Sequence, residues 1–130
     1  MSILEAVGQY LEDEGFGVQG TNIWLSRMLP DPDVSIAVYE YAGRPPVETM
    51  SAGLAIEQPS LQVVVRAGRD DYPTARDLAE DIRQSLCLVT DQTLSGLRVL
   101  RIMHRSSVNP IGLDDKDRPM LSVDYEVQIA

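Results

Sequence analysis

The stretch Y-P-T-A-R-D-L-A-E-D-I-R-Q-S-L, residues 72–86, decides one layer of the fold because its apolar residues recur at helical spacing. Pro73 suits a first helical turn, and Thr74 with Asp77 has the spacing of a capping box. The apolar stripe consists of Ala75, Leu78, Ala79, Ile82 and Leu86. The segment therefore predicts an amphipathic helix that packs one face against a core.

The stretch R-P-M-L-S-V-D-Y-E-V-Q-I, residues 118–129, decides the other layer. From Met120 to Ile129 apolar and polar residues alternate almost without a break. This alternation predicts a strand with one face on the core and one face toward polar surroundings.

The rest of the chain supplies one more helix and four more strands. The first helix is expected from about Ser2 to Glu14, with Ser2 and Glu5 as a capping box. The predicted strands are Asn22–Met28, Val34–Tyr41, Leu61–Ala67 and Leu97–His104. The first two, separated by L-P-D-P-D, are interpreted as an antiparallel pair, and the run of valines at 63–65 predicts a central strand buried on both faces.

The predicted order is α-β-β-β-α-β-β. We expect a single α+β domain over residues 1–130, with a largely antiparallel or mixed sheet and two helices packed on one side. Residues 43–58, with two prolines and weak alternation, are interpreted as a projecting loop or hairpin. Val47, Met50 and Leu54 in this segment are candidates for contact with a partner, and core packing of the same residues is the alternative.

Composition and charge exclude several classes of function. The net charge is −9, from 20 acidic and 11 basic residues, which opposes specific binding of a nucleic acid. Residues 1–60 hold nine acidic and two basic residues, whereas residues 61–130 hold eleven acidic and nine basic ones. No apolar run is long enough to span a membrane, and no targeting segment is visible, so we expect a cytosolic origin.

The sequence gives little support for catalysis. His104 is the single histidine and Cys87 the single cysteine, and they lie far apart in the sequence, so the thiol is interpreted as a buried small hydrophobic group. The acidic residues Asp114, Asp115 and Asp117 lack the spacing of a calcium loop and are interpreted as a solvated turn. No phosphate-binding glycine motif occurs. We expect no enzyme, no cofactor and no metal site.

Three segments resemble a known family: A-I-E-Q-P-S-L-Q-V-V-V-R (55–66), Y-P-T-A-R-D-L-A-E-D-I (72–82) and P-I-G-L-D-D-K-D-R-P-M-L-S-V-D-Y-E-V (110–127). Together they are similar to the phage minor capsid or tail terminator family of long-tailed, siphophage-like phages and prophages. Members of that family often carry a small turn residue before the R-P pair, where this chain has Asp117. The resemblance covers about the last three fifths of the chain.

The resemblance implies a small structural protein that caps the head-proximal end of the tail tube and offers a surface for head attachment. Its implied partners are other copies of itself in a six-membered ring, although the free protein can be monomeric, the tail tube protein and the head–tail connector. DNA would pass only as cargo, and no membrane is involved. The implied location is the host cytoplasm during assembly and then the head-proximal end of the virion tail.

A ring needs two different patches that dock on each other, and the uneven charge of the chain offers them. We expect Arg98, Arg101 and Arg105 to contact acidic residues of a neighbouring copy; the alternative is that they coat the solvent face of a sheet. The nearest rival function is a head–tail joining or tail completion protein of the same assembly. A small cytosolic ligand-binding domain or enzyme is the rival from another class.

Overall fold

Seven strands form one mixed sheet in the computed structural model, which describes residues 2–48 and 55–130. The elements are α1 (Ile3–Asp13), β1 (Ile23–Leu25), β2 (Ser35–Glu48), β3 (Ala55–Arg66), α2 (Tyr72–Leu86), β4 (Thr90–Leu94), β5 (Leu97–His104), β6 (Asn109–Leu113) and β7 (Pro119–Ile129). The strands lie in the order β1-β2-β3-β7-β5-β4, and β6 pairs with β7 beyond the end of β5. This α+β architecture, with its mixed sheet, confirms the predicted fold class.

The helix ends follow from local sequence. Ser2 Oγ accepts a hydrogen bond from the Glu5 amide at 3.3 Å and donates one to the Glu5 carboxylate at 3.1 Å, which confirms the first capping box. The second capping box is wrong, because α2 begins at Tyr72 after Asp71 and Thr74 already lies inside its first turn. Neither helix is long and apolar enough to cross a membrane, and these are the helices of the described residues.

The core lies between the two helices and one face of the sheet. Ala75, Ala79, Ile82 and Leu86 of α2 are buried as predicted, while Leu78 is partly buried against the same cluster. The sheet side of the core contributes Val63, Val65, Leu121, Val123, Tyr125 and Val127. Burial of one such aliphatic side chain stabilises the fold by about 1.5–3 kcal/mol. Val64, on the opposite face, is also buried, so β3 is covered on both faces along its valine run.

The predicted antiparallel pairing of the first two strands is wrong. β1 pairs with β2 in parallel, with Ile23 opposite Ile36 and Leu25 opposite Val38. The segment between β1 and β2 does not form a tight turn, because the side chains of two buried arginines bind its main-chain oxygens. Arg66 donates to the main-chain oxygens of Pro32 and Asp33, and Arg118 donates to that of Pro30. Parallel direction therefore results from long-range contacts that the L-P-D-P-D motif does not reveal.

The two strands β4 and β6 were not expected. Their sequences, T-D-Q-T-L and N-P-I-G-L, lack alternation, and every residue except the half-buried Leu94 is exposed. Both lie at an outer edge of the sheet, where no second face must be buried, so hydrophobic periodicity gives no signal for them. The linker predicted between β5 and β7 therefore contains a strand.

The closing strand is confirmed with nearly the expected bounds, but one of its expected features is wrong. Ser122 and Glu126 belong to its polar face and are nevertheless 4% and 6% exposed. β7 lies inside the sheet, with β3 on one side and with β5 and β6 one after the other on the other side, so both side chains have strand neighbours on two sides. Glu126 keeps its charge partnered through Arg44, whose Nε lies 3.4 Å from the carboxylate.

Candidate assembly surfaces

The sheet face opposite the helices carries a polar depression. Register places Tyr39 beside Gln62, and Gln62 beside Asp124, on this face. With Glu40 and Tyr41 these residues line a shallow depression of about 380 Å³. Partial burial raises the pKa of the Tyr39 hydroxyl above its ordinary value. The depression is open and holds no convergent set of acids and bases, which fits a contact surface better than an enclosed ligand site.

The three arginines predicted to contact a neighbour lie along β5 and the residue after it. Arg98 forms a two-point ion pair with Asp91 of the adjacent strand, at 2.8 and 3.3 Å. This hydrogen-bonded pairing lowers the pKa of Asp91 and raises that of Arg98. Arg105 Nη1 donates to Ser60 Oγ at 3.0 Å. Arg101 is exposed, lies opposite Gln128, and makes no ion pair with any described residue.

The residues predicted to meet the tail tube or connector are Val47, near the end of β2, and Met50 and Leu54, which lie in the sequence between β2 and β3. Backbone pairing of β2 with β3 continues to Val47 opposite Ile56 and Glu48 opposite Ala55. Met50 and Leu54 lie outside the described residues, as does the side chain of Val47. The predicted contact therefore stays a prediction.

A buried arginine pair that the sequence did not reveal fixes the end of the sheet near the start of β7. Arg118 is 3% exposed, and its Nε lies 2.7 Å from Asp114 Oδ2 while Nη1 lies 3.1 Å from Asp33 Oδ1. Arg66, also 3% exposed, lies near enough that burial first and the charge of Arg118 second lower its pKa. The R-P pair was the available signal, but nothing in its spacing indicates burial.

Asp114 is not the solvated turn residue that was expected. Its Oδ1 accepts hydrogen bonds from the amides of Lys116 and Arg118, both at 2.9 Å. Burial acts to raise its pKa, but these amides and the Arg118 guanidinium outweigh it and hold the pKa below the ordinary value. Asp117 follows at φ 58°, a left-handed conformation that costs a residue with a side chain more than a glycine.

The matching family model, described as bacteriophage tail terminator protein, covers residues 10–130. The chain belongs to the bacteriophage tail terminator family. A solved chain from a structure titled "Virion of native gene transfer agent (GTA) particle" has the same fold, with a TM-score of 0.70 and 15% identity over 98% of this chain and 94% of that chain. A second solved chain, 18% identical over 97% of this chain and 90% of its own, has a TM-score of only 0.45. No curated protein matches.

Membership of the tail terminator family confirms the predicted family and a phage structural tail protein. The siphophage-like character, the ring and the individual partners stay predictions. The family match begins in α1 and includes every strand, so the whole sheet belongs to the tail terminator domain.

Cys87 and His104 are neighbours in this tail terminator domain, although they lie far apart in the sequence. The end of α2 lies against the end of β5, which brings Cys87 Sγ within 3.4 Å of His104 Nδ1. The thiol is partly buried. The expectation of a fully buried thiol, which relied on the distance between Cys87 and His104 in the sequence, is therefore wrong. Within the described residues no three His, Cys, Asp or Glu side chains come together as metal ligands.

Proposed function

We propose that this protein assembles as a six-membered ring that closes the head-proximal end of a tail tube of a long-tailed, siphophage-like phage and presents the surface to which the head–tail connector attaches. The match of residues 10–130 to the tail terminator family carries this proposal. The fold shared with a chain of a gene transfer agent virion supports a place in a virion-like particle. Assembly would take place in the host cytoplasm, with DNA passing only as cargo.

The proposal includes no catalysis, cofactor or membrane contact. The Cys87–His104 contact lacks a third group that would orient the imidazole, since His104 meets no carboxylate among the hydrogen bonds of the described residues. The polar depression on the open face is shallow, and its lining residues Tyr39, Glu40, Tyr41, Gln62 and Asp124 include no histidine, cysteine or lysine. These observations favour a structural role for the chemistry-bearing residues.

Arg101 is the best of the three predicted interface arginines. Arg98 is already neutralised by Asp91, and Arg105 is engaged by Ser60, whereas Arg101 offers an exposed guanidinium without an ion-pair partner among the described residues. An arginine in this state can bind a carboxylate of a neighbour without first breaking an internal pair. Contact of Val47, Met50 and Leu54 with the tube protein or connector completes the proposed set of surfaces.

Electron microscopy of particles made without this protein tests the function. A stop codon in the gene of the parent phage or prophage should give full heads beside separate tails of abnormal, variable length. Tails of normal length that fail to attach would instead identify a joining or completion protein. Intact infectious particles would refute both assignments and favour the ligand-binding or enzyme alternative.

Charge reversal tests the arginine contact. Arg101→Glu should reduce assembly at least tenfold, because it places like charges across the interface, while Arg98→Gln serves as the control at a residue already held by Asp91, since glutamine adds no like charge beside that carboxylate. Both variants should keep the circular dichroism spectrum of the wild type. Equal assembly of Arg101→Glu and the wild type in sedimentation velocity, at concentrations where the wild type forms oligomers, would remove Arg101 from the interface.

A further inference from the structure

We infer that neighbouring copies join head to tail through opposite edges of the sheet, the β1–β2 edge of one copy lying against the β4–β6 edge of the next. The inference rests on the proposed function only in taking the second copy as the partner. It assigns the contact to backbone edges and to exposed apolar side chains that neither the family match nor the predicted arginines identify.

At each edge of the sheet the outermost strand covers only part of the length of its neighbours, so one half of the edge projects and the other half is recessed. β1 covers β2 only from Ile36 to Val38, so the outer side of β2 from Tyr39 to Arg44 has no strand partner among the described residues. At the other edge β4 covers β5 only from Leu97 to Arg101. β6 lies directly on β7, and its outer side is likewise unpaired within the described part of the chain.

Strand register shows that these steps are complementary. Ile36 of β2 is paired with Val65 of β3, Val65 with Leu121 of β7, and Leu121 with Pro110 of β6. β1, which covers Ile36, therefore projects at the level where β6 forms the recessed half of the other edge. Farther along the strands, the pairs Gln92–Val99, Val99–Ile129 and Ile129–Glu57 put β4 level with β2 between Arg44 and Val47, where β2 has no outer strand partner among the described residues. Between these two levels, at Tyr39–Tyr41, neither edge projects. If two copies are placed side by side without a shift along the strands, each projecting half faces the recess of its neighbour.

Exposed apolar side chains fall on the same two edges. Among the described residues, the large hydrophobic side chains that are exposed are Val18, Val34, Tyr41, Tyr72, Leu88, Ile111 and Leu113. Val18, Val34 and Tyr41 lie in or beside β1 and β2. Val18 is tied to β1 through its carbonyl, which accepts from the Ile23 amide at 3.1 Å, while Val34 directly precedes β2 and Tyr41 lies in it.

Tyr72, Leu88, Ile111 and Leu113 lie in or near the β4–β6 edge. Ile111 and Leu113 lie in β6 and are 46% and 64% exposed. Leu88, 78% exposed, stands between α2 and β4, at the step between the two halves of the edge. Tyr72 lies near β6, because Arg76 Nη1 donates one hydrogen bond to the Tyr72 hydroxyl and one to the Val108 carbonyl just before β6, both at 3.5 Å. Apolar surface divided between two opposite edges favours contact between unlike surfaces.

Each edge carries exposed charge of both signs. On β2, which belongs to the half of the chain with nine acidic and two basic residues, Glu40 and Arg44 are exposed. At the opposite edge Arg101 and Lys116 are exposed, with Arg76 beside β6, and so are Asp91 and Asp115. Two different surfaces on one molecule form a heterologous contact, which closes into a ring when the rotation between copies permits. Pairing would also cover the outer sides of β2, β4 and β6, which have no strand partner in the described part of the chain and which otherwise invite aggregation. In β1 the outward amide and carbonyl of Ile23 already bond Val18 and Gly20, so that strand would meet its neighbour through side chains.

A mixing experiment tests the pairing of unlike edges. One variant carries Val18→Asp and Tyr41→Asp, and the other carries Ile111→Asp and Leu113→Asp. Each variant alone should be monomeric in sedimentation velocity, because every contact needs one intact edge of each kind. A 1:1 mixture should form dimers with one copy of each and nothing larger. The matched control, Thr74→Asp with Gln84→Asp on the exposed side of α2, should assemble as the wild type does.

Other results in this experiment overturn the inference. Wild-type assembly by one of the two edge variants alone would show that like edges meet, and a monomeric mixture beside an assembling wild type would show that neither edge is used. Because free protein can stay monomeric until it reaches a tail, a photocrosslinking benzoylphenylalanine at position 111 is used in cells that produce the particles. A product of two copies joined between position 111 and residues 18–44 is expected.

A crosslink to the same edge of another copy, to a different protein, or no crosslink would refute the edge contact. Tail length in micrographs of the same particles tests the proposed function separately. A crosslink between unlike edges in particles whose tails keep their length without this protein would refute the terminator role and leave the edge contact in place.

Discussion

Replacing Asp114 with alanine should destabilise the protein far more than the same change at the adjacent Asp115. Asp114 is the closest anionic partner of the buried Arg118 guanidinium, at 2.7 Å, and it also accepts two backbone amide hydrogen bonds at 2.9 Å. Asp115 is exposed and makes no hydrogen bond or ion pair with the described residues. The two variants therefore differ in one carboxylate's contacts and little else.

The size of the effect depends on which partners Arg118 and the two freed amides keep in the variant. Loss of a hydrogen bond to a charged group costs about 1.5–3 kcal/mol, and breaking a buried ion pair costs about 3–5 kcal/mol. Arg118 keeps Asp33 and the Pro30 carbonyl as partners, and water can reach the freed Lys116 amide, so the lower end applies. We expect Asp114→Ala to lower the free energy of unfolding by about 2–3 kcal/mol, or the Tm by about 10 °C. Asp115→Ala should change the free energy by less than about 0.5 kcal/mol.

Urea unfolding at fixed protein concentration measures both variants, and pH provides a second test. Because the pKa of folded Asp114 lies below its ordinary 3.8, its contribution is complete above pH 3.8 and is lost as pH falls through the folded pKa. The difference between wild type and Asp114→Ala should therefore shrink in strong acid. A difference under about 1 kcal/mol at pH 7, or one that is unchanged well below pH 3.8, would refute the role of this carboxylate.

Two further changes have clear expected outcomes. Tyr125→Phe should be neutral or stabilising by about 1 kcal/mol in thermal unfolding, because the Tyr125 hydroxyl is buried and finds no hydrogen-bond partner among the described residues; a loss above about 1 kcal/mol would indicate a partner for it. Gly43→Ala should destabilise by about 2 kcal/mol or more, because a Cβ there would clash with the main-chain carbonyl of Gln58, whereas the Cβ of the control Gly68→Ala would have its nearest neighbour at an ordinary 3.7 Å, at Asp33 Oδ2. Equal unfolding midpoints for the two glycine variants would contradict this reasoning.

Short-range signals predicted the parts of the fold that repeat one pattern over many residues. The bounds of α2, Tyr72–Leu86, agree with the apolar stripe, and β5 agrees from Leu97 to His104. β7 agrees within one residue at its start, because alternation over ten residues leaves one orientation toward the core. β4 and β6 escaped prediction because exposed edge strands need no apolar face.

For the candidate surfaces, the sequence predicted which kinds of residue take part but not which of them have free side chains. The sequence indicates that arginines are concentrated after residue 60, but not that Asp91 neutralises Arg98 while Arg101 stays exposed, since those pairings depend on which strand lies beside which. Likewise, sequence distance separated Cys87 from His104, and packing of α2 on β5 brought them together.

The sequence by itself determined the helix and strand periods, the layer that each apolar stripe faces, and the family to which the chain is similar, because all three depend on residues near one another along the chain. The tertiary structure alone decided the parallel pairing of β1 with β2, the burial of Arg66 and Arg118, and the complementary steps of the two sheet edges. The physical reason is that strand order and the pairing of buried charges result from contacts between residues dozens of positions apart, such as Arg118 with Pro30. No local pattern encodes such a contact.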